Sequence, residues 1–425
     1  MRCSHWLYGI GSCVAVAVAG AGGPAGAAAG EWSGRIEMRD GVEHVFNPAT
    51  PMEAPLVHTI EELWRIGGDT DAEGEFFGVI GGIATDAEGN VFVLDRQLSE
   101  VKVFSPDGGY LRTIGREGEG PGEFRNPIDM FILPDGNIGV LQLAPGRLVM
   151  LTPDGEPRGD HPLPDPDSGQ TPTLVSGRTM GDRVLLVFSE NKMQEGRVDI
   201  TRVLAMIDSE GNEVKRILES TRTLEFVNFL FDETVWRTFD NRWRVGPNER
   251  LYAPERYLDY EIVVWNASGE RERVIHRDYE HWDRTQEQET EMYDIFDAML
   301  QNQLPQYTIE VGDHDPDITN LNPRIDGTLW VLTSRGTRVP AEGALGVFDV
   351  FDGDGRYLRE VTLLGEGEPM GDGYIFADDR LFVITDLLEA NIASRGGRKG
   401  DVETEEEPEP ITIICYDLEP LAAEN

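Results

Sequence analysis

Residues 81–95 read GGIATDAEGNVFVLD, residues 96–115 RQLSEVKVFSPDGGYLRTIG and residues 116–127 REGEGPGEFRNP. Ile83, Val91, Val93, Val101, Val103, Leu111 and Ile114 fall in short runs rich in β-branched residues, several of them alternating with period two and bounded by Asp/Gly clusters. That is the pattern of strands a few residues long. The breaks between runs are turn sequences. In Ala87-Glu88-Gly89-Asn90 and Pro106-Asp107-Gly108-Gly109, Pro presets φ and Gly or Asn accepts positive φ. Four short strands, two tight turns and one long connection make a propeller blade.

The unit repeats. Leu133-Pro134-Asp135-Gly136-Asn137 answers the first turn and Thr152-Pro153-Asp154-Gly155 the second; Gly89 to Gly136 and Gly108 to Gly155 each span 47 residues. A fixed period of this length marks a repeat architecture. Six second strands are read at 90–95, 137–142, 183–189, 250–254, 328–333 and 380–385, and six third strands at 101–104, 148–151, 203–207, 262–265, 347–351 and 411–416. Glu62-Leu63-Trp64-Arg65-Ile66-Gly67 is a strand without a blade, and the C-terminal unit lacks its fourth strand. Joining the two closes the ring and removes the open edge between terminal blades. The expected fold class is all-β: a six-bladed β-propeller closed by an N-terminal strand joining the last blade, with one helical insertion.

The stretches GREGEGPGEFRNPIDMFILPDGN (115–137), NVFVLDRQLSEVKVFSPDGG (90–109) and DGVEHVFNP (40–48) resemble the NHL-repeat type of six-bladed β-propeller, in particular secreted bacterial propellers of unassigned function. The resemblance covers nearly all of the chain after the first 29 residues, strongest from Leu63 to Gly155 and weakest between Pro164 and Val245. It implies a fold. Propellers of this kind serve as binding platforms, lyases and lactonases, so the chemistry has to come from individual residues.

The chain opens with one Arg, an apolar stretch and Ala27-Ala28-Ala29 before Gly30, the pattern of a cleaved signal peptide over residues 1–29. Export to the periplasm or the extracellular space is expected. A lipid anchor at Cys13 is the second option. Gly and Pro interrupt the stretch, and no run of about 18 strongly apolar residues follows, so no transmembrane span is expected in the mature chain. Removing the leader takes away Arg2 and moves the net charge from −41 to −42. So acidic a surface argues against nucleic acid and anionic membrane as partners. Cys3 and Cys13 leave with the leader; Cys415, alone in ITIICYDL, is expected to be a small buried hydrophobe. The remaining chain divides into a hairpin and linker at 30–59, with Asp40-Gly41 as the turn, the propeller at 60–419 and a tail at 420–425.

Loop lengths distinguish the two faces of the ring. Connections from first to second strand and from third to fourth are uniformly short, whereas the others carry every insertion, at 115–127, 191–200, 279–317, 335–345 and 387–410. Long loops on a rigid scaffold are where binding residues concentrate. Within the longest, Met292, Ile295, Phe296, Met299 and Leu300 recur at helical spacing, with Asp283 or Thr285 available as N-cap and Gln286 or Gln288 three residues on, so a helical insertion is expected at about 283–304. It reads either as a cover for the rim or as a lid beside the channel mouth. The run at about 389–410, rich in Gly, Glu and Pro, reads as an acidic disordered loop.

Polar residues where second strands reach the elaborated face would encircle the channel mouth: Asp95-Arg96, Gln142, Glu190, Glu255-Arg256-Tyr257, Arg335 and Asp386, joined by Arg125 and Asn126. Asp in this position commonly bonds the neighbouring turn, whereas converging arginines favour a carboxylate or phosphate. The candidate ligand-binding residues are Arg96, Arg125, Asn126, Arg256, Tyr257, Arg335 and Asp386. A metal candidate is His314, Asp317 and Asn320, whose oxygen-rich set suits a divalent cation such as Ca²⁺. The cluster HRDYEHWD at 276–283 lacks zinc-ligand spacing, and no nucleophile elbow is present. The sequence therefore reads as an exported monomeric propeller binding a small anionic ligand or an envelope protein through its long-loop face. The alternatives are a metal-dependent hydrolase or lyase at the channel mouth, or a scaffold in an envelope assembly.

Overall fold

The computed structural model describes residues 31–418 apart from 165–171, 228, 238, 240, 241, 303, 305, 339, 340 and 397–408. The leader with Cys13, the tail at 420–425 and the acidic run at 397–408 lie outside the described residues.

Six blades follow one another around an axis, and the inner strands of neighbours touch. Blade one is Ile80–Thr85, Val91–Asp95, Glu100–Phe104 and Tyr110–Ile114; blade six is Gly373–Ala377, Arg380–Ile384, Thr412–Asp417 and, from the N-terminus, Glu61–Gly67. That last strand pairs antiparallel with Thr412–Asp417, Ile413 opposite Ile66, so the ring closes as the sequence predicts. All residues of Val91–Asp95, and of the equivalent Ile138–Gln142 and Leu329–Thr333, are buried, because a middle strand packs on a neighbouring blade at both faces. Alternation then divides each strand between two interfaces: Val91 and Val93 join Phe382, Ile384 and Cys415 of blade six, while Phe92 and Leu94 join Ile138 and Val140 of blade two. Both faces must be apolar, and the strands accordingly read as near-continuous apolar runs.

The N-terminal segment steps around three blades. Its hairpin, Arg35–Arg39 and Val42–Asn47, turns at Asp40 (φ 50°) and Gly41 (φ 84°), the two positive values a two-residue hairpin turn requires. Val42–Asn47 adds in parallel to the outer strand of blade four, Arg271–Arg277, and Leu56–Thr59 to that of blade five, Tyr357–Leu364. Buried Asn47 fastens the hairpin: Nδ2 donates to the carbonyls of His276 (3.0 Å) and Gly355 (2.9 Å), and Oδ1 accepts from Tyr357 N–H (2.8 Å) and Trp32 Nε1–H (3.0 Å).

Cys415 is fully buried and burial pushes its thiol up to about 12. In the chain from residue 30 onward, a thiol reagent such as Ellman's is expected to find no reactive cysteine at neutral pH until denaturant is added, and then one equivalent. Reaction of the native protein would contradict this packing.

Two insertions differ from the sequence reading. Residues 191–200, expected as a loop, continue the strands Arg183–Gln194 and Arg197–Ile207 into a tall hairpin, which Glu213–Glu225 follows along its length. Polar residues at alternate positions had hidden the continuation. Helix α1 (Glu233–Trp236) then follows a short strand, Phe229–Asp232, that pairs in parallel with Tyr307–Glu310. Helix α2 (Gln286–Leu300) is the expected amphipathic one. Thr285 is its N-cap, with Gln288 N–H donating to Thr285 Oγ1 (3.3 Å) and Thr285 N–H to Gln288 Oε1 (3.0 Å). Met292, Ile295, Phe296 and Ala298 are buried and Glu287 and Asp294 exposed. Helix α3 is Ser334–Arg338, and α4 (Leu387–Ala393) occupies the opening of the stretch expected to be disordered, where Ile392 is buried and Leu388 packs with α2. No helix among the described residues is long and apolar enough to cross a membrane.

Candidate functional site

At the long-loop end of the channel, α2 forms one wall of a cavity of about 580 Å³. Met292, Ile295, Phe296 and Met299 present an apolar surface, extended by Phe231 and Trp236. The facing side is polar. Arg202 and Arg222 come from the tall strands of blade three, Arg237 from the residue after α1, and Arg338 from α3; Asp315 and Asp372 are the carboxylates, with Asn320 beside them. Four guanidinium groups and two carboxylates thus stand among the described lining residues; Arg338 is bonded to Asp315 and Glu291, and Arg237 lies 3.3 Å from Glu233. The Arg222 guanidinium lies 4.2 Å from the Trp236 ring centroid and donates to the Trp236 carbonyl (2.9 Å), so the flat walls are arginine and indole together. Buried Tyr374 Oη, also in the lining, has no hydrogen-bond partner among the described residues.

A chain of alternating charges anchors this wall. Fully buried Arg284, just before α2, donates Nη1–H to Glu233 Oε2 (2.6 Å), Nη2–H to Glu233 Oε1 (2.9 Å) and Nε–H to Asp315 Oδ1 (2.7 Å). Arg338 donates Nε–H to Asp315 Oδ2 (2.7 Å) and Nη1–H to Glu291 of α2 (2.9 Å), and Tyr257 Oη–H donates to Glu233 Oε1 (2.7 Å). Burial raises the Glu233 carboxyl, but the Arg284 and Tyr257 bonds outweigh it and hold it below its ordinary range. At Asp315, burial is likewise outweighed by Arg338 and Arg284. The network thus ties α1, α2, α3 and the segment leading into blade five into one body.

The arginines expected to converge are held apart, each by a local acceptor. Arg125 Nη1–H donates to Glu119 (2.7 Å), Arg256 Nη1–H to Asp259 (2.9 Å), Arg335 Nη2–H to Glu280 (2.9 Å) and Arg96 Nη1–H to Asn391 of α4 (3.2 Å). None lines the mouth cavity. Tyr257 belongs to the charge network; Asn126 (φ 46°) is an exposed turn residue whose carbonyl accepts Leu143 N–H (3.3 Å). Asp386 (φ 53°) precedes α4 without a side-chain capping bond, and its N–H donates to Asp372 (2.8 Å). Asp95 does bond the neighbouring turn, accepting from Gly78 N–H (2.7 Å) and from Gln97 and Leu98 N–H (2.9 Å each).

The metal candidates fall into two carboxylate–imidazole pairs. His281 Nδ1–H donates to Asp317 Oδ1 (2.8 Å), and His314 reaches Asp283 (2.8 Å) and Asp313 (2.6 Å). The hydrogen bond to Asp317 raises the His281 pKa, while burial raises that of Asp317. Asn320 Oδ1 accepts Leu321 N–H (2.9 Å). Among the described residues no group of three or more His, Cys, Asp or Glu is placed to hold a metal ion. An imidazole oriented by a buried carboxylate can act as a general base, but neither His281 nor Asp317 lines the mouth cavity.

Sequence reasoning missed Arg202, Arg222, Arg237 and Arg338. Their signal was present: one arginine, Arg202 or Arg222, on each of two adjacent strands prolonged past their apolar cores, and arginines just beyond Trp236 and Thr337.

A family model described as a 6-bladed beta-propeller matches residues 76–229. No curated protein matches the chain. Among solved structures, a duf4221 family member from Bacteroides vulgatus is 10% identical over 84% of this chain and 97% of its own, with TM-score 0.48. A gluconolactonase from Xanthomonas campestris is 11% identical over 84% and 98%, TM-score 0.42, and virginiamycin B lyase from Staphylococcus aureus 13% identical over 81% and 82%, TM-score 0.37. At these values the lactonase and lyase activities are those proteins' own and carry no argument here.

Proposed function

We propose, for a chain that is a six-bladed β-propeller, that it is an exported binding protein whose ligand is an amphipathic anion held in the mouth cavity, apolar body against α2 and carboxylate or phosphate toward blade three. The observation carrying this reading is the cavity's composition: an apolar helix face opposite Arg202, Arg222, Arg237 and Arg338. About 580 Å³ is within the range that encloses small-molecule ligands. Arginine forks recognise planar oxyanions with two parallel hydrogen bonds, and aromatic walls hold flat or acyl groups. Export is supported by the leader pattern at 1–29.

The test is calorimetric titration with matched pairs of an aryl or acyl carboxylate and its neutral amide. Arg237, about half exposed, is the substitution least disruptive to folding. Arg237→Met is expected to weaken the acid about tenfold, or about 1.4 kcal/mol, and to leave the amide unchanged. Acid and amide binding alike, or an acid indifferent to Arg237→Met, would refute the reading.

A further inference from the structure

Exposed large apolar side chains are unevenly placed among the described residues. The short turns at one end of the ring carry Ile325, and others stand singly on outermost strands and loops. At the long-loop end they gather on the tall hairpin of blade three and the segment after it, where Met193, Phe226, Val227, Leu230 and Val235 are each between 42% and 70% exposed.

Three of them share the hairpin's tip. Met193 is opposite Val198 and Gln194 opposite Arg197 on either side of the turn, whose Gly196 (φ 77°) faces open space. The third strand keeps pace to the end, with Glu225 opposite Arg197. Phe226 N–H then donates to the Gly196 carbonyl (3.0 Å), which holds Phe226 and Val227 beside the turn. Leu230 and Val235 follow, in Phe229–Asp232 and in α1, each next to a residue that lines the mouth cavity, Phe231 and Trp236. Apolar residues therefore run along this segment from the hairpin tip to the cavity wall.

Three features select what covers the tip. Its charges balance, Lys192 and Arg197 against Glu195 and Glu225, in a chain of net charge −41. This projection can therefore approach an uncharged surface, whereas the chain as a whole is repelled by an anionic one. The five side chains present on the order of a few hundred Å², the size of patch that marks an interaction site, but short of the ~800 Å² that each side of a stable protein–protein interface buries. The tip is also a narrow projection rather than a groove: a rigid protein would need a matching pocket, whereas fluid hydrocarbon closes around it, with a strength that scales with the apolar area buried. We infer that the tall hairpin docks on a zwitterionic phospholipid bilayer, seating Met193, Phe226 and Val227 at the boundary between headgroups and acyl chains. Docking brings the mouth cavity, at the same end of the ring, to the lipid surface. None of the three lines that cavity, so docking and ligand binding are separable.

Flotation with phosphatidylcholine vesicles tests this on the chain from residue 30 onward, which keeps the closed ring and leaves out the apolar stretch at 1–29. Partitioning onto the vesicles is expected, reduced about tenfold or more by Phe226→Ser combined with Val227→Ser. Met193→Ser, on the neighbouring strand, is expected to lower it about threefold and guards against a folding defect in the double variant. Ile325→Ser, at the opposite end, should leave it unchanged. Replacing part of the phosphatidylcholine with phosphatidylglycerol is expected to weaken binding, because the chain's net negative charge is repelled. Arg237→Met should bind vesicles as the parent does, and Met193→Ser should titrate the acid of the matched pair as the parent does, so docking and the mouth reading can fail separately. No partitioning, partitioning that survives both tip variants, or partitioning that rises with phosphatidylglycerol would overturn the inference. Self-association of the parent, lost in the tip variants and without vesicle binding, would overturn it in favour of a second copy of this chain.

Discussion

Arg284→Ala is expected to cost about 3–5 kcal/mol at pH 7, because it leaves two buried carboxylates without their shared counter-charge. Glu233 is fully buried, receives both Nη groups of Arg284 and keeps only half-exposed Arg237 (3.3 Å) afterwards; Asp315 receives the Arg284 Nε and keeps only Arg338. The charged pair adds less to stability than its removal takes away, since the cost comes from the orphaned carboxylate rather than from the bond. Two consequences distinguish this account from a simple packing loss. First, the penalty should shrink on acidification. Without Arg284, the strongest influence lowering the Glu233 pKa is gone while burial still raises it, so the variant's carboxyl takes up its proton at higher pH than the parent's and the orphaned charge disappears as the pH falls. Second, Glu233→Gln combined with Arg284→Met should lose less than Arg284→Met alone, because the amide oxygen still accepts from Tyr257 and no charge is stranded. Urea denaturation at two pH values measures both. Hydrogen exchange over 286–300 and 307–310 shows whether the loss is global or confined to the insertion. A single variant within about 0.5 kcal/mol of the parent, with exchange unchanged, would mean that the network does not hold α2.

The blades were legible in the sequence and the mouth was not, for a physical reason. A middle strand is buried on both faces, so every residue of Val91–Asp95 or Leu329–Thr333 carries the same signal, and turn glycines such as Gly89 and Gly136 (φ 80° in each) fix the ends. Loop lengths identified the elaborated face, and the apolar spacing of Met292, Ile295 and Phe296 identified α2 with its cap. Equivalent position around a ring does not mean proximity, however. Arg96, Arg125, Arg256 and Arg335 occupy matching places in their blades, yet each turns to a separate acceptor, Asn391, Glu119, Asp259 and Glu280 respectively. The mouth arginines sit instead in the parts that break the repeat: the tall hairpin of blade three, α1 and α3. Their proximity depends on how α2 folds back, and no local pattern records that.

Acid is expected to loosen the N-terminal hairpin through two histidines. His44 Nδ1 and His276 Nε2 lie 2.9 Å apart, which requires one to donate and the other to accept, so at least one ring is neutral. Both rings stack with Phe46, and Val42–Asn47 is paired to blade four at this point. Burial lowers the His276 pKa to about 4, with the fields of His44, Arg39 and Arg35 acting in the same direction; burial and Arg39 lower that of His44. Glu261, 3.4 Å from His276 Nδ1, and Asp259, Glu37 and Asp40 oppose the shift without reversing it. A histidine that is harder to protonate folded than unfolded contributes its full stability above about pH 6.5 and loses it as the pH falls toward 4. For His276 the loss is at most about 3 kcal/mol, and about 2–3 kcal/mol of it is spent by pH 4.5. Carboxylates elsewhere also lose stability in acid, so the informative quantity is the difference between the parent and His276→Phe, which keeps a ring between His44 and Phe46 but cannot charge. The variant is expected to lose about 2–3 kcal/mol less than the parent between pH 7 and pH 4.5 in urea denaturation, with exchange over 35–47 rising in the parent alone. Equal losses would mean that Glu261 accommodates the imidazolium, and a smaller loss in the parent would reverse the assignment of sign.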